Sequence, residues 1–222
     1  MIFFDIDGTL VDHRSASESA SLALFDRFPG AIASERLRFP ALWEGILEKH
    51  FRRFSRGEIS LREQRRARMR EVFARPDMPD GEADRRYRVF AQEYEGLVEP
   101  YEDAAGCLGD LAAKPLGIIS NGARDQQMAK LRRAGFLECF SVMVYAEDMG
   151  FAKPAAGIFL EACRRAGRAP EACVYVGDEV ETDVVPSRAL GMRGIHLRRL
   201  PAGPRAAPPA ISTLRDLPRL LE

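Results

Sequence analysis

Short apolar runs with β-branched residues recur along the chain at Met1 to Phe4, Leu116 to Ile119, Val142 to Tyr145, Cys173 to Val176 and Gly194 to Leu197, and they read as strands. Between them, helical patterns cover Ala104 to Leu111, Gln126 to Ala134, Ala156 to Ala166 and Asp183 to Ala189, most ending near Gly or Pro. Alternating strands and helices imply βαβ units and an α/β fold, a parallel sheet with helices on both faces. The stretch from about His13 to Leu97 departs from this rhythm. It holds no convincing strand, and Leu42, Ile46, Leu47, Phe51 and Phe54 fall at helical spacing. An all-helical insertion at 13–97 is therefore expected within a Rossmann-like core formed by 1–12 and 98–222. Pro76 to Gly81 interrupts the insertion in the middle. Pro201 to Pro209 reads as a Pro/Ala/Gly-rich loop, and Ile211 to Leu221 as a final short strand or helix.

With 222 residues, 46% of them hydrophobic, the chain can bury a real core. Its 33 basic and 33 acidic residues cancel, which argues against a nucleic-acid or anionic-membrane partner held by bulk charge. No apolar stretch reaches the length of a spanning helix, and Asp5 interrupts any signal-like N-terminus, so a cytoplasmic location is expected. Cys107, Cys139, Cys163 and Cys173 are scattered without a Cys-x-x-Cys pair, so neither a disulfide framework nor a zinc site is expected.

Four polar clusters lie just after expected strands or at the start of the helix that follows. Asp5 and Asp7 place two carboxylates two positions apart where the first strand meets a loop. Strand periodicity would point both to one side, one as nucleophile and the other as proton donor beside a divalent cation. Ser120-Asn121-Gly122 offers a hydroxyl and backbone N–H groups suited to a phosphate at a helix start. Lys153 is one of only four lysines, with Lys49, Lys114 and Lys130, in a chain that otherwise uses Arg, and a compact ammonium suits contact with phosphoryl oxygen. Gly177 to Asp183 is an acidic loop able to supply hard oxygen ligands for Mg²⁺. Each cluster alone also has a plain structural reading: turn former, helix cap, solvated lysine, or acids favoured by a helix dipole. In open α/β sheets, ligands bind outside the carboxyl ends of the strands, so the four clusters should converge on one crevice.

Asp5-x-Asp7-Gly8-Thr9, Ser120-Asn121-Gly122, Lys153-Pro154 and Gly177-Asp178 with Asp183 resemble, in order, the four motifs of the haloacid dehalogenase-like hydrolase superfamily. The resemblance covers nearly the whole chain, and the insertion at 13–97 looks like that family's helical cap. It implies that Asp5 attacks phosphorus to form an aspartyl phosphate and that Asp7 acts as general acid, then base. It further implies that Mg²⁺ is bound by Asp5, the Asp7 main-chain carbonyl and Asp178, with Asp183 in support. Ser120, Asn121 and Lys153 would hold the transferring phosphoryl group. The implied protein is a phosphatase of small phosphorylated metabolites, of nucleotide or sugar phosphate type, working as a monomer or homodimer. Family members that break carbon–halogen bonds need no acid two residues after the nucleophile, so Asp7 favours phosphoester hydrolysis. A 2-haloacid dehalogenase, a phosphomutase and a catalytically silent binding protein remain as alternatives. The phosphonate-cleaving branch needs a cap lysine, and Lys49 is poorly placed for that.

From His50 to Arg75 the insertion carries Arg52, Arg53, Arg56, Arg62, Arg65, Arg66, Arg68, Arg70 and Arg75 against Glu58, Glu63 and Glu71. This is either a basic face for an anionic substrate or a solvated helix face with Arg stems over apolar neighbours. Trp43 could stack a base or sugar, although its helical spacing also fits the core.

Overall fold

The computed structural model describes residues 1–199 and 209–221, so all but the last residue of the loop expected at Pro201 to Pro209 lies outside the described residues. Two compact units emerge, one of Met1–Asp12 with Glu99–Glu222 and one of His13–Val98.

In the first unit six parallel strands are ordered β3-β2-β1-β4-β5-β6, with β1 Ile2–Phe4, β2 Leu116–Ser120, β3 Val142–Tyr145, β4 Val174–Gly177, β5 Arg193–Leu197 and β6 Ala210–Ile211. Every residue of β1 and β2 is buried, as unbroken apolar strands require when both faces of a parallel sheet are covered. The connecting helices are α5 Ala104–Asp110, α6 Arg124–Arg133, α7 Ala146–Met149, α8 Ala156–Ala166, α9 Val185–Ala189 and α10 Leu217–Leu220, where the last four-residue helix closes the described chain. The strand order reverses direction at β1, which lies between β2 and β4 and so places the end of β1 at a topological switch point.

The C-terminal segment is tied to this unit by Asp103. Its carboxylate accepts from Arg199 at 2.9 and 3.0 Å, from Thr213 Oγ1 at 2.7 Å and from the Leu214 N–H at 2.9 Å. Burial alone would raise its pKa, but these four donors hold it below the ordinary carboxylate value. A depressed folded pKa contributes stability that is present above the unfolded pKa and lost as pH falls through the folded one. Asp103→Asn is expected to cost about 2 kcal/mol near neutral pH, because it leaves the largely covered Arg199 charge without its carboxylate, with only the Thr9 carbonyl still accepting from it. The gap from wild type should begin to narrow as the pH falls below about 4, where the unfolded carboxylate protonates, and close only once the pH passes below the depressed folded pKa. Urea unfolding across pH measures it.

The second unit is α1, residues His13–Arg27, followed by α2 Phe39–Ser55, α3 Leu61–Val72 and α4 Asp80–Leu97. Ser60 starts α3 with a capping box. Its hydroxyl accepts from the Glu63 N–H at 3.2 Å, and Glu63 returns the bond to the Ser60 N–H at 2.8 Å. Trp43 is a core residue, 1% exposed, its ring centre 4.3 Å from that of Phe90 at a tilt of 39°, with its indole N–H donating to Ser17 Oγ. The arginine surplus is largely neutralised inside the unit. Arg62 and Arg66 pair with Asp84, Arg66 and Arg70 with Asp80, and Arg75 with Glu82, so the balancing acids come from α4. Arg68 is buried, its guanidinium 4.7 Å from the centre of the Trp43 ring. Lys49 pairs with Glu71, which also accepts from His50.

All four cysteines are free; Cys163 and Cys173 are buried with their sulfurs 3.8 Å apart. Among the described residues no helix is long and apolar enough to cross a membrane.

Candidate active site

Asp5 directly follows β1, and its N–H still pairs with the Val176 carbonyl of β4 at 2.9 Å. Regular strand ends there. The Ile6 carbonyl accepts from the Leu10 and Val11 N–H groups at 2.8 and 3.1 Å, which folds the chain into a tight turn. Gly8 sits in this turn at φ +75°, and a Cβ there would lie 2.1 Å from Asp178 Oδ2. The missing side chain is what lets the Asp178 carboxylate approach from the end of β4, where Thr9 Oγ1 donates to its Oδ1 at 3.2 Å. Because β1 stops at Phe4, strand periodicity does not govern Asp5 and Asp7, and the expectation that they point one way on a strand is corrected. Their carboxylates have separate partners: Asp5 meets Lys153, and Asp7 meets Gln127 and Lys130 of α6.

Lys153 is the hub. Its ammonium lies 3.0 Å from Asp5 Oδ1 and donates to Asp183 Oδ1 at 2.7 Å and Tyr175 Oη at 2.9 Å, in a site where the lysine is 2% exposed. Burial opposes its charge, yet the carboxylates of Asp183 and Asp5 outweigh that and hold its pKa above the ordinary lysine value. Asn121 grips the main chain of this residue. The Lys153 N–H donates to Asn121 Oδ1 at 2.7 Å, and Asn121 Nδ2 donates to the Lys153 carbonyl at 2.9 Å. Thus the Asn121 side chain sets the lysine in place. Ser120, the last residue of β2, is buried, with its Oγ accepting from the Gly122 N–H at 3.2 Å. Lys153 reaches the site from the loop between α7 and α8, one short helix beyond the end of β3.

Asp5, Asp178 and Asp183 each offer one carboxylate oxygen within 4.8 Å of the others. Burial pushes the Asp5 pKa up to about 7, with Lys153 working against the rise and Asp183 and Asp7 adding to it. Burial likewise raises Asp178 well above the ordinary carboxylate value, helped by Asp183 and Asp5. Three crowded carboxylates beside one ammonium form a hard-oxygen donor set whose charge a divalent cation would balance, so these residues fit such an ion. Asp183 is fully buried and already well bonded. Its Oδ1 accepts from Lys153 and Tyr175, and its Oδ2 accepts from the Glu179 N–H at 3.1 Å. A π-helical turn over Val180–Val184 brings it back onto Glu179. The Asp7 carboxylate stands outside this group of three.

Sequence reasoning missed Gln127, Lys130, Tyr175 and Thr9 as neighbours of these acids. A signal for Lys130 existed, since the scarcity of lysine that singled out Lys153 applies to it equally, and Gln127 lies three residues before it on α6. Tyr175 looked like an ordinary strand residue; its hydroxyl accepts from Lys153 and faces Asp183 Oδ1 and the Ile119 carbonyl, at 3.1 and 3.2 Å.

A family model described as haloacid dehalogenase-like hydrolase matches residues 1–191, spanning every one of these groups. The chain belongs to that family. Among curated relatives, a glyceraldehyde 3-phosphate phosphatase of Methanothermobacter thermautotrophicus is 39% identical over 101 residues, 45% of each chain. A phosphoglycolate phosphatase of Escherichia coli is 28% identical over 88% of this chain and 80% of its own. The first relatives are thus matched over about half their length. Among solved structures, a HAD-hydrolase of Bacillus subtilis bound to magnesium superposes with a TM-score of 0.83 at 21% identity, covering 99% of this chain and 97% of the other. A 2-haloacid dehalogenase of Pseudomonas syringae gives 0.74 at 28% identity over 99% and 96%. This haloacid dehalogenase-like hydrolase therefore has neighbours in two reaction classes.

Proposed function

We propose that this haloacid dehalogenase-like hydrolase is a Mg²⁺-dependent phosphatase of small phosphate monoesters, working through an aspartyl phosphate on Asp5. Asp7 carries this reading, because its carboxylate is held by its own partners, Gln127 and Lys130, apart from the crowded acids. A nucleophile that displaces halide needs no such acid, whereas an alkoxide leaving phosphorus needs a proton. The phosphatase relatives support the same class, and their substrates point to two- and three-carbon phosphates.

Asp5 attacks phosphorus with one oxygen while Lys153 orients the other and offsets the charge of the incoming phosphoryl group. Ser120 and the main chain at Asn121 and Gly122 receive the phosphoryl oxygens. Asp7 gives its proton to the departing oxygen, then takes one from the water that hydrolyses the intermediate. Asp5, the Asp7 carbonyl and Asp178 would hold Mg²⁺, which supplies charge neutralisation for the phosphoryl oxygens. Asp183, with both oxygens bonded to protein donors, acts on Lys153 and the Glu179 main chain from behind.

The test is phosphate release from p-nitrophenyl phosphate, 2-phosphoglycolate, glyceraldehyde 3-phosphate and a nucleotide and hexose phosphate panel, with Mg²⁺ and with EDTA. Release that depends on Mg²⁺ is expected. A second reading, dehalogenation, is favoured by the likeness to the Pseudomonas syringae enzyme. Halide release from 2-chloropropionate without phosphate release from any ester would replace the first reading with the second.

A further inference from the structure

Two side chains of α6 close on the Asp7 carboxylate. Gln127 Nε2 donates to Oδ2 at 2.6 Å, and Lys130 Nζ donates to Oδ1 at 2.5 Å. Both donors are interior residues, Gln127 1% and Lys130 6% exposed, so this is unlike the surface ion pairs that contribute little. Three residues apart, they project from the same side of α6. The route to Asp7 depends on Gly122, where a Cβ would lie 2.0 Å from Gln127 Nε2. A glycine in the phosphate-binding segment therefore makes room for a side chain that serves the proton donor.

We infer that Gln127 and Lys130 are positioning residues that clamp the Asp7 carboxylate for proton transfer. The inference rests on the phosphatase reading and deepens it. In the first half-reaction the bond from phosphorus to the leaving oxygen breaks as the Asp5 oxygen bonds to phosphorus, and the Asp7 proton passes to the leaving oxygen. Asp7 is then a carboxylate, the form that accepts from both Gln127 and Lys130. In the second half-reaction water oxygen bonds to phosphorus, the bond from phosphorus to Asp5 breaks, and a water proton returns to Asp7. The clamp thus stabilises the anionic form between the two transfers and keeps both oxygens aimed. Without Lys130 the anion would stand in a partly buried site, its side chain 27% exposed, with its charge unmatched.

A purely structural pin between α6 and the turn after β1 would use the same contacts, so the test reads leaving-group dependence. p-Nitrophenolate departs as a stable anion, whereas the alkoxide of glycerol phosphate requires protonation. For Lys130→Met and Gln127→Leu, kcat on glycerol phosphate is expected to fall about 100-fold, within the range general acid catalysis supplies, and kcat on p-nitrophenyl phosphate less than about 10-fold. The ratio of the two rates does not depend on how much of each variant folds. Equal losses on both substrates, or none on either, in both variants overturn the clamp while leaving the phosphatase intact. Turnover that survives Asp5→Asn overturns the underlying phosphatase reading instead.

Discussion

Asp5→Asn is expected to abolish phosphate release, a loss of at least about 10⁴-fold, while leaving the protein folded and, without metal, more stable at alkaline pH. Asn keeps the shape and removes the attacking oxygen. The stability effect follows from the raised pKa of about 7 for Asp5. A carboxylate whose folded pKa lies above its unfolded value penalises the native state once pH exceeds the unfolded pKa, and the penalty is complete above the folded one. The variant escapes it. Its melting temperature should exceed that of metal-free wild type near pH 8, and the difference should fade as pH falls toward about 4. Adding Mg²⁺ should then raise wild type more than the variant, since the ion neutralises the charge that Asn lacks. Equal melting temperatures near pH 8 without metal would show that burial does not strain this carboxylate.

Lys153→Met should be nearly as damaging to turnover and far more damaging to stability. The lysine touches Asp5 and Asp183 at once and is itself buried, so its removal leaves two carboxylates facing each other without their cation. Breaking a buried pair in this way costs about 3–5 kcal/mol. The raised lysine pKa means that its contribution is fully present below the unfolded lysine value and is lost only as pH rises through the higher folded one. A deficit throughout the neutral range is therefore expected, narrowing in acid as the carboxylates take up protons. Urea unfolding of the variant with and without Mg²⁺ measures it, and turnover should drop on the order of 10³-fold as the phosphoryl group loses a charged contact. A loss below about 1 kcal/mol would mean that the contacts drawn by Lys153 are worth no more than a surface pair.

The sheet was legible because its central strands are buried on both faces and so read as unbroken apolar runs between turn residues, as Leu116 to Ile119 does, while the half-buried edge strand Val142 to Tyr145 is still apolar throughout. Side-chain direction was less legible. Asp5 and Asp7 seemed to share a strand, but the turn at Ile6 through Gly8 begins at once and sends their carboxylates to different partners. Lys153 was expected just after a strand or at the start of the helix that follows, and it lies shortly before α8, with the short α7 between it and β3. The acids that neutralise the α3 arginines, Asp80 and Asp84, follow the window in which the charges were counted, since packing of α3 on α4 brings together residues far apart in sequence. Gln127 and Lys130 escaped notice for the same reason, being more than a hundred residues from the carboxylate they hold.

The most direct measurement is mass spectrometry of enzyme mixed with excess 2-phosphoglycolate or p-nitrophenyl phosphate in Mg²⁺, quenched in acid within one turnover and digested. One added phosphoryl group on the peptide that carries Asp5, absent in Asp5→Asn, is the predicted result. Phosphoryl transfer to any other residue, or rapid phosphate release with Asp5 never modified, would contradict nucleophilic catalysis by Asp5.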